Sequence, residues 1–249
     1  MTRLTLRTLL ARRRAFALAA LVATLTGAFP ARGQDDFVQA REKMVDEQIR
    51  ARGVRQPEVL AAMEAVPRHL FVPEAQRDQA YEDKPVPIDF DQTISQPYVV
   101  ALMTELLDLT GKEKVLEIGT GSGYHSAVLS RVADEVYSIE ILEPLAHRAA
   151  VRLRALGFGN VHVREGDGYD GWPEEAPFDA IILTAAPPRL PQPLLDQLKI
   201  GGRMVVPVGD YLQDLRLVIK TGPHEFENKR IAPVRFVPMT GEVQQQGKP

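Results

Sequence analysis

The order of apolar and polar positions divides the chain into stretches of different character. Over residues 37–52 apolar side chains fall at 37, 38, 44, 45 and 49, a helical spacing that Gly53 stops. Pro57 sits in the favoured first-turn position of a second helix over 58–66, and 98–109 has the amphipathic pattern of a third. Between these, residues 67–73 break the pattern, and 85–97 read as a long irregular loop. Beyond Val115 the period changes, and short apolar runs alternate with amphipathic ones. Strands are predicted at 136–140, 161–164, 179–184, 203–208, 216–220 and 234–238, and helices at 124–133, 143–156 and 192–198. Alternation of this kind specifies an α/β fold, a mostly parallel sheet with helices on both faces.

The segment Val115-Leu-Glu-Ile-Gly-Thr-Gly-Ser-Gly-Tyr124 opens this second half. It reads as a buried parallel strand, a tight turn and the first turn of a helix. Gly119, Gly121 and Gly123 let a ligand sit against the main chain, next to helix N–H groups that can donate to an anion. A dinucleotide turn requires G-x-G-x-x-G and one acid about 20 residues on, whereas the spacing here is G-x-G-x-G. Three acids accompany it: Glu117 before the first glycine, Glu140 at the end of the next predicted strand, and Asp167 after the third. Acids at successive strand ends lie along the edge where open α/β sheets bind ligands. S-adenosylmethionine (SAM) offers an ammonium group, a ribose diol and an adenine amino group to three such acceptors, while NAD leaves the third acid without a partner. The competing reading makes Glu140 and Asp167 loop acids in water.

Composition adds exclusions. The chain has 249 residues, suited to one α/β domain with a tail, and no cysteine, which removes disulfides and thiolate metal sites. Its five histidines lack ligand spacing, so no metal is expected. The first 33 residues are set apart by six arginines, no acid and an apolar run over 15–25. They form a signal-like segment, and Arg13-Arg14-Ala15-Phe16 resembles a twin-arginine export signal. The competing reading is an unused upstream start, with the protein beginning nearer Met44. Without those arginines the remainder carries 24 basic against 33 acidic residues, net −9. Neither nucleic acid nor a stable membrane contact is expected of such a body. The domain reading is therefore 1–33 signal-like, 34–110 helical extension and substrate loop within the catalytic domain, and 111–249 the SAM-binding core.

From about Val45 to Glu242 the chain resembles the protein-L-isoaspartate (D-aspartate) O-methyltransferase family. The likeness rests on Ala65-Val-Pro-Arg-His-Leu-Phe-Val72, Gln92-Thr-Ile-Ser-Gln-Pro97, the glycine turn, Phe178-Asp-Ala-Ile-Ile-Leu-Thr-Ala-Ala-Pro187 and Val234-Arg-Phe-Val-Pro-Met-Thr240. The glycine turn is common to many SAM methyltransferases, and the Gln-Thr-Ile-Ser-Gln-Pro loop discriminates. The resemblance implies a Rossmann-like class I SAM-methyltransferase sheet with an antiparallel C-terminal strand. It also implies methyl transfer from SAM to the free carboxylate of L-isoaspartyl and D-aspartyl residues in damaged proteins, which starts their repair. Ser95 then occupies the active-site position, with Ile94, Ser95, Thr184 and Ala185 against the substrate. Glu117, Gly119, Gly121, Gly123, Glu140, Asp167, Gly168 and Thr240 fall to the cofactor. A competing role for Ser95, close before Pro97, is a helix cap. Asp89-Phe90-Asp91 stands where the family has a glycine-rich loop, and two acids there are expected to repel an anionic substrate. Another carboxylate substrate, or a non-enzymatic binder of damaged protein, remain as alternative functions. A monomer working in the cytoplasm is expected, against the periplasm through the export-like signal.

Overall fold

A computed structural model describes residues 34–244, so the signal-like reading of 1–33 lies outside the described residues. The chain enters through one continuous helical segment, α-helical over α1 (Gln34–Lys43), wider over Met44–Ile49 and tight over Arg50–Arg52, where Gly53 at φ 103° ends it. Helices α2 (Pro57–Ala65) and α3 (Pro97–Leu106) both carry proline in the first turn, as predicted for Pro57, while Pro97 moves from the expected loop into α3. The stretch expected as irregular loop contains a small antiparallel hairpin, β1 (Val86–Pro87) with β2 (Thr93–Ile94). Two-residue strands interrupted by proline carry no readable alternation.

Seven further strands form one sheet. They are β3 (Lys114–Ile118), β4 (Glu135–Glu140), β5 (Val161–Glu165), β6 (Phe178–Leu183), β7 (Leu198–Val208), β8 (Gln213–Lys220) and β9 (Phe226–Val234). Their spatial order is β5-β4-β3-β6-β7-β8-β9. Pairings from β5 to β7 are parallel, and β7–β8 and β8–β9 are antiparallel. The last predicted strand, 234–238, is corrected: β9 ends at Val234, and the residues after it make a single bridge from Pro238 to Ala186. Its exposed, polar sequence at the sheet edge hides β9 from a search for apolar runs.

Helices α4 (Tyr124–Leu129), α5 (Glu143–Ala155) and α6 (Gln192–Asp196) connect the strands. The sheet separates two cores. On one face Val115, Val136, Ala180, Ile182 and Val205 pack with residues of α2, α3 and α4; on the other Leu116, Ile118, Ile139, Ile181 and Met204 pack with Leu194 and Leu195 of α6. This alternation decides where site residues point, since successive strand side chains face opposite sides. The chain visits β3, β4 and β5, then returns to place β6 on the other flank of β3. A crevice therefore opens at the carboxyl ends of β3, β4 and β6. Among the described residues no helix is long and apolar enough to cross a membrane.

Candidate active site

The crevice holds a cavity walled by the glycine turn, the end of β4, the hairpin β1–β2, the segment after β6 and the segment after β9. Its floor is the backbone of Gly119 to Ser122. Gly119 has φ 95°, and a Cβ there would lie 2.3 Å from Thr184 Oγ1. That hydroxyl donates to Gly119 O at 2.6 Å, so the strand ends of β3 and β6 are stitched together at this one glycine. Gly168 meets the opposite wall, where an added Cβ would lie 2.4 Å from Ile118 Cγ2. Glycine at both positions lets the main chain pack this closely against Thr184 and Ile118, side chains that line the cavity too.

Glu140 ends β4, is 6% exposed, and reaches the cavity. Its Oε2 accepts from Gly121 N at 2.8 Å and its Oε1 from Leu142 N at 3.0 Å. Each oxygen keeps a further lone pair for a diol. Ile118, Ile139, Ile141 and Leu142 add apolar surface beside it. A carboxylate between apolar walls, over a backbone cradle, fits a nucleoside that has a ribose diol.

On the other side, Ile94, Ser95, Thr184, Ala185 and Thr240 line the same cavity. Helix α3 is capped at Gln96 without a side-chain hydrogen bond, so the capping role weighed for Ser95 is corrected. Ser95 is held through its carbonyl instead. Arg68, fully buried, donates from Nη2 to Ser95 O at 2.7 Å and from Nε to Ala80 O at 2.6 Å, with its guanidinium 4.8 Å from the Tyr124 ring. Burial pulls the Arg68 pKa down to about 10, which leaves it charged at neutral pH.

Three residues expected at the cofactor do not line the cavity: Glu117, Gly123 and Asp167. Glu117 shares the face of Val115, not that of Ile118, and so points beneath α4. It is completely buried; Ser126 Oγ donates to its Oε2, as does Ser138 Oγ at 2.6 Å, while Oε1 has no partner. Burial raises its pKa to about 7. Gly123 precedes α4 at φ 85° and faces Leu153 of α5, a packing role. Asp167 accepts from Tyr169 N at 2.9 Å through Oδ1 and from Glu242 N at 2.7 Å through Oδ2. It ties the loop of Gly168 to the segment of Thr240, both of which line the cavity.

Other lining residues escaped the sequence reading. His125 was counted with the ordinary histidines, yet it is buried at the cavity, pairs through Nε2 with Thr104 Oγ1 at 3.0 Å, and is held neutral by burial, its pKa lowered to about 3. Its position directly after Tyr124 in the glycine-turn helix was the available signal. Phe90 also lines the cavity and, with Asp91, adopts positive φ (60° and 56°). The two acids flanking it differ in state. Asp89 is ion-paired with Arg148 of α5, whereas among the described residues no ion pair engages Asp91.

The comparisons with known proteins agree with this geometry. The family model described as protein-L-isoaspartate(D-aspartate) O-methyltransferase matches residues 39–244. A protein-L-isoaspartate O-methyltransferase 2 from Pelobacter propionicus is 56% identical over 203 residues, spanning 81% of this chain and 90% of the relative. One from Gloeobacter violaceus is 55% identical over 204 residues, spanning 82% of this chain and all of the relative, 100%. A solved protein-L-isoaspartate O-methyltransferase superposes with a TM-score of 0.73 at 32% identity, covering 82% of this chain and 67% of that one. The fold is also that of a Plasmodium falciparum structure described as a putative protein-L-isoaspartate O-methyltransferase in complex with S-adenosyl-L-homocysteine (TM-score 0.69, 24% identity, 80% and 98% coverage).

Proposed function

This chain belongs to the protein-L-isoaspartate(D-aspartate) O-methyltransferase family, and from that premise we propose how its residues carry out SAM-dependent methylation of isoaspartyl carboxylates in damaged proteins. The observation that carries the reading is one cavity shared by two unlike walls, the Glu140 carboxylate on one and the Ser95 loop on the other. When bound, SAM supplies a methyl group on a positively charged sulfur. Glu140 would hold the ribose hydroxyls, the backbone of Gly119 and Gly121 would hold the methionine end, and Gly168 and Thr240 would hold the base. Glu117 and Asp167 support these contacts from behind, one under the turn and the other between two wall segments.

A substrate carboxylate is already ionised at neutral pH, so no general base is required. The residues must orient it in line with the methyl carbon and keep water out. The Ser95 hydroxyl donates one hydrogen bond to that carboxylate, on a backbone fixed by Arg68. Ile94, Thr184 and Ala185 complete the substrate wall, where a small side chain at Ala185 leaves room for a peptide. Neutral His125 adds no charge to compete for the acid. We assign the protein to isoaspartyl proteins and peptides as partners, without nucleic acid, as a monomer in the cytoplasm.

The test is a matched pair of peptides, one isoaspartyl and one normal aspartyl, incubated with labelled SAM. Base-labile label on the isoaspartyl peptide alone is the expected result. Equal label on both peptides, or on neither, would overturn the assignment.

A further inference from the structure

The hairpin joining β7 to β8 ends in Tyr211 and Leu212, neighbours that are 101% and 92% exposed. They are the two most exposed large apolar side chains among the described residues. Exposed apolar surface of this kind needs an occupant or a reason, because water is its least favourable neighbour. The turn that presents the pair is also specified by sequence. Gly209 has φ 128°, and a Cβ there would lie 2.1 Å from Leu212 O.

The place of the tip in the fold supplies the reason. Strand β7 runs parallel to β6, so the hairpin leaves the sheet at the edge that carries the cavity. Its base is fastened to the cavity wall. Gly209 N donates to Pro187 O at 3.0 Å, directly after the segment of Thr184 and Ala185. Gln213, almost fully buried, accepts from Phe236 N at 2.6 Å and donates to Phe236 O at 3.1 Å, directly before the lining residues Val237 to Thr240. The tip is therefore fastened to two wall segments, one that follows Thr184 and Ala185 on the substrate side and one that leads to Thr240, and it stands apart from the wall formed by Glu140.

We propose that Tyr211 and Leu212 are a docking tip for the polypeptide substrate, covering apolar side chains of an unfolded segment about eight residues away from the reacting carboxylate. The proposal rests on the carboxyl-methyltransferase reading above. A polypeptide whose carboxylate reaches Ser95 continues out of the cavity on both sides of the reacting residue, and the tip stands on the wall it passes. Apolar side chains that a folded protein hides become available in a damaged, loosened one. Charge argues against a lipid surface as occupant. Residues 34–249 carry 24 basic against 33 acidic groups, and Asp210 is exposed within the tip itself.

The test uses the full-length chain and a Tyr211→Ser/Leu212→Ser double variant, whose substitutions are on the bare surface and outside the catalytic machinery. Three isoaspartyl peptides are compared: one of about six residues, one of about 24 with a Leu-Phe-Leu cluster some eight residues from the isoaspartyl group, and the long one with that cluster changed to serine. The double variant is expected to lose about fivefold or more in kcat/KM on the apolar long peptide, through KM alone, and to stay within about twofold on the other two. Equal kcat/KM for both proteins on the apolar peptide overturns the docking tip and leaves the catalytic reading standing. No methyl transfer to the short peptide by the unaltered chain overturns the reading and the tip with it. A dimer in sedimentation that the double variant lacks, with peptide kinetics unchanged, gives the tip to a second copy and overturns the proposal.

Discussion

Ser95 and Glu140 face one cavity but are asked for different things, and kinetics separates them. Ser95→Ala removes a hydrogen bond that matters in the transition state. Turnover on an isoaspartyl peptide should drop about tenfold or more while SAM affinity stays near that of the parent. Because no side chain caps α3, melting should not move, and a variant with parental turnover would remove Ser95 from the mechanism. Glu140→Ala should do the reverse, weakening SAM binding by about 1–3 kcal/mol in a calorimetric titration, since Gly121 N and Leu142 N lose their acceptor as well. Glu117 produces a pH effect of its own. Its pKa rises from 4.5 to about 7 through burial, partly opposed by the Ser126 and Ser138 hydroxyls. Between those values the folded chain keeps a proton that the unfolded chain has released, so this group's contribution is present below pH 4.5 and is lost as pH climbs to 7. The loss is about 3 kcal/mol at 1.36 kcal/mol per pH unit. Glu117→Gln should therefore melt like the parent near pH 4 and clearly above it at pH 8. His125, lowered to about 3, contributes the opposite slope below 6.5 in both proteins, so the difference between them is the quantity to measure. A difference that does not grow with pH would refute burial as the cause.

Among the elements, the loop that follows β5 and the segment that follows β9 act as one wall because Asp167 joins them. Asp167→Ala should cost about 1–2 kcal/mol of stability through the lost cap and tether. It should also expose the chain beyond Met239 to limited proteolysis and weaken SAM binding as the wall loosens. Lost SAM affinity with an unchanged cleavage pattern would mean that the carboxylate touches the cofactor directly, as the sequence had suggested. This difference shows what could be read without coordinates. The runs beginning at Val115, Val136, Val161 and Asp179 predict β3 to β6 within a residue or so; β3, β4 and β6 are largely buried and mostly apolar, while β5, at the sheet edge, is marked by alternation alone. Glu117 and Glu140 look alike in sequence and lie on the same face of the sheet, but Glu117 sits one residue inside the end of β3 beneath α4, whereas Glu140 is the last residue of β4 and reaches the cavity, so they end up in different environments. The hairpin β1–β2 was missed because its strands are too short to show a period. The left-handed backbone at Phe90 and Asp91 preserves a glycine-like conformation without glycine, a cost of about 1–3 kcal/mol each in strain that the Arg148–Asp89 pair helps to hold. That ion pair also neutralises one of the two acids expected to repel the substrate.

The molecule as a whole poses a question of address, which charge and chemistry answer in opposite ways. All six arginines of residues 1–33 precede the first acid, a pattern that marks export. Everything built from residue 34 onward points to a site that consumes one SAM per turnover, and SAM is made in the cytosol. A copy outside the cytoplasm would stop after the cofactor it carried, while damaged proteins inside would continue to meet a renewable donor. The proposal of a cytoplasmic working enzyme rests on that supply of donor. The net charge of −9 from residue 34 onward gives the body no electrostatic attraction to anionic surfaces. Fractionating cells that express the full-length chain, with N-terminal sequencing of the product, measures this directly. The expected outcome is methyltransferase activity in the cytoplasmic fraction with no product cleaved near Gln34. A mature chain that begins there and is recovered from the periplasm would show that the arginine-rich segment outweighs the supply of methyl donor.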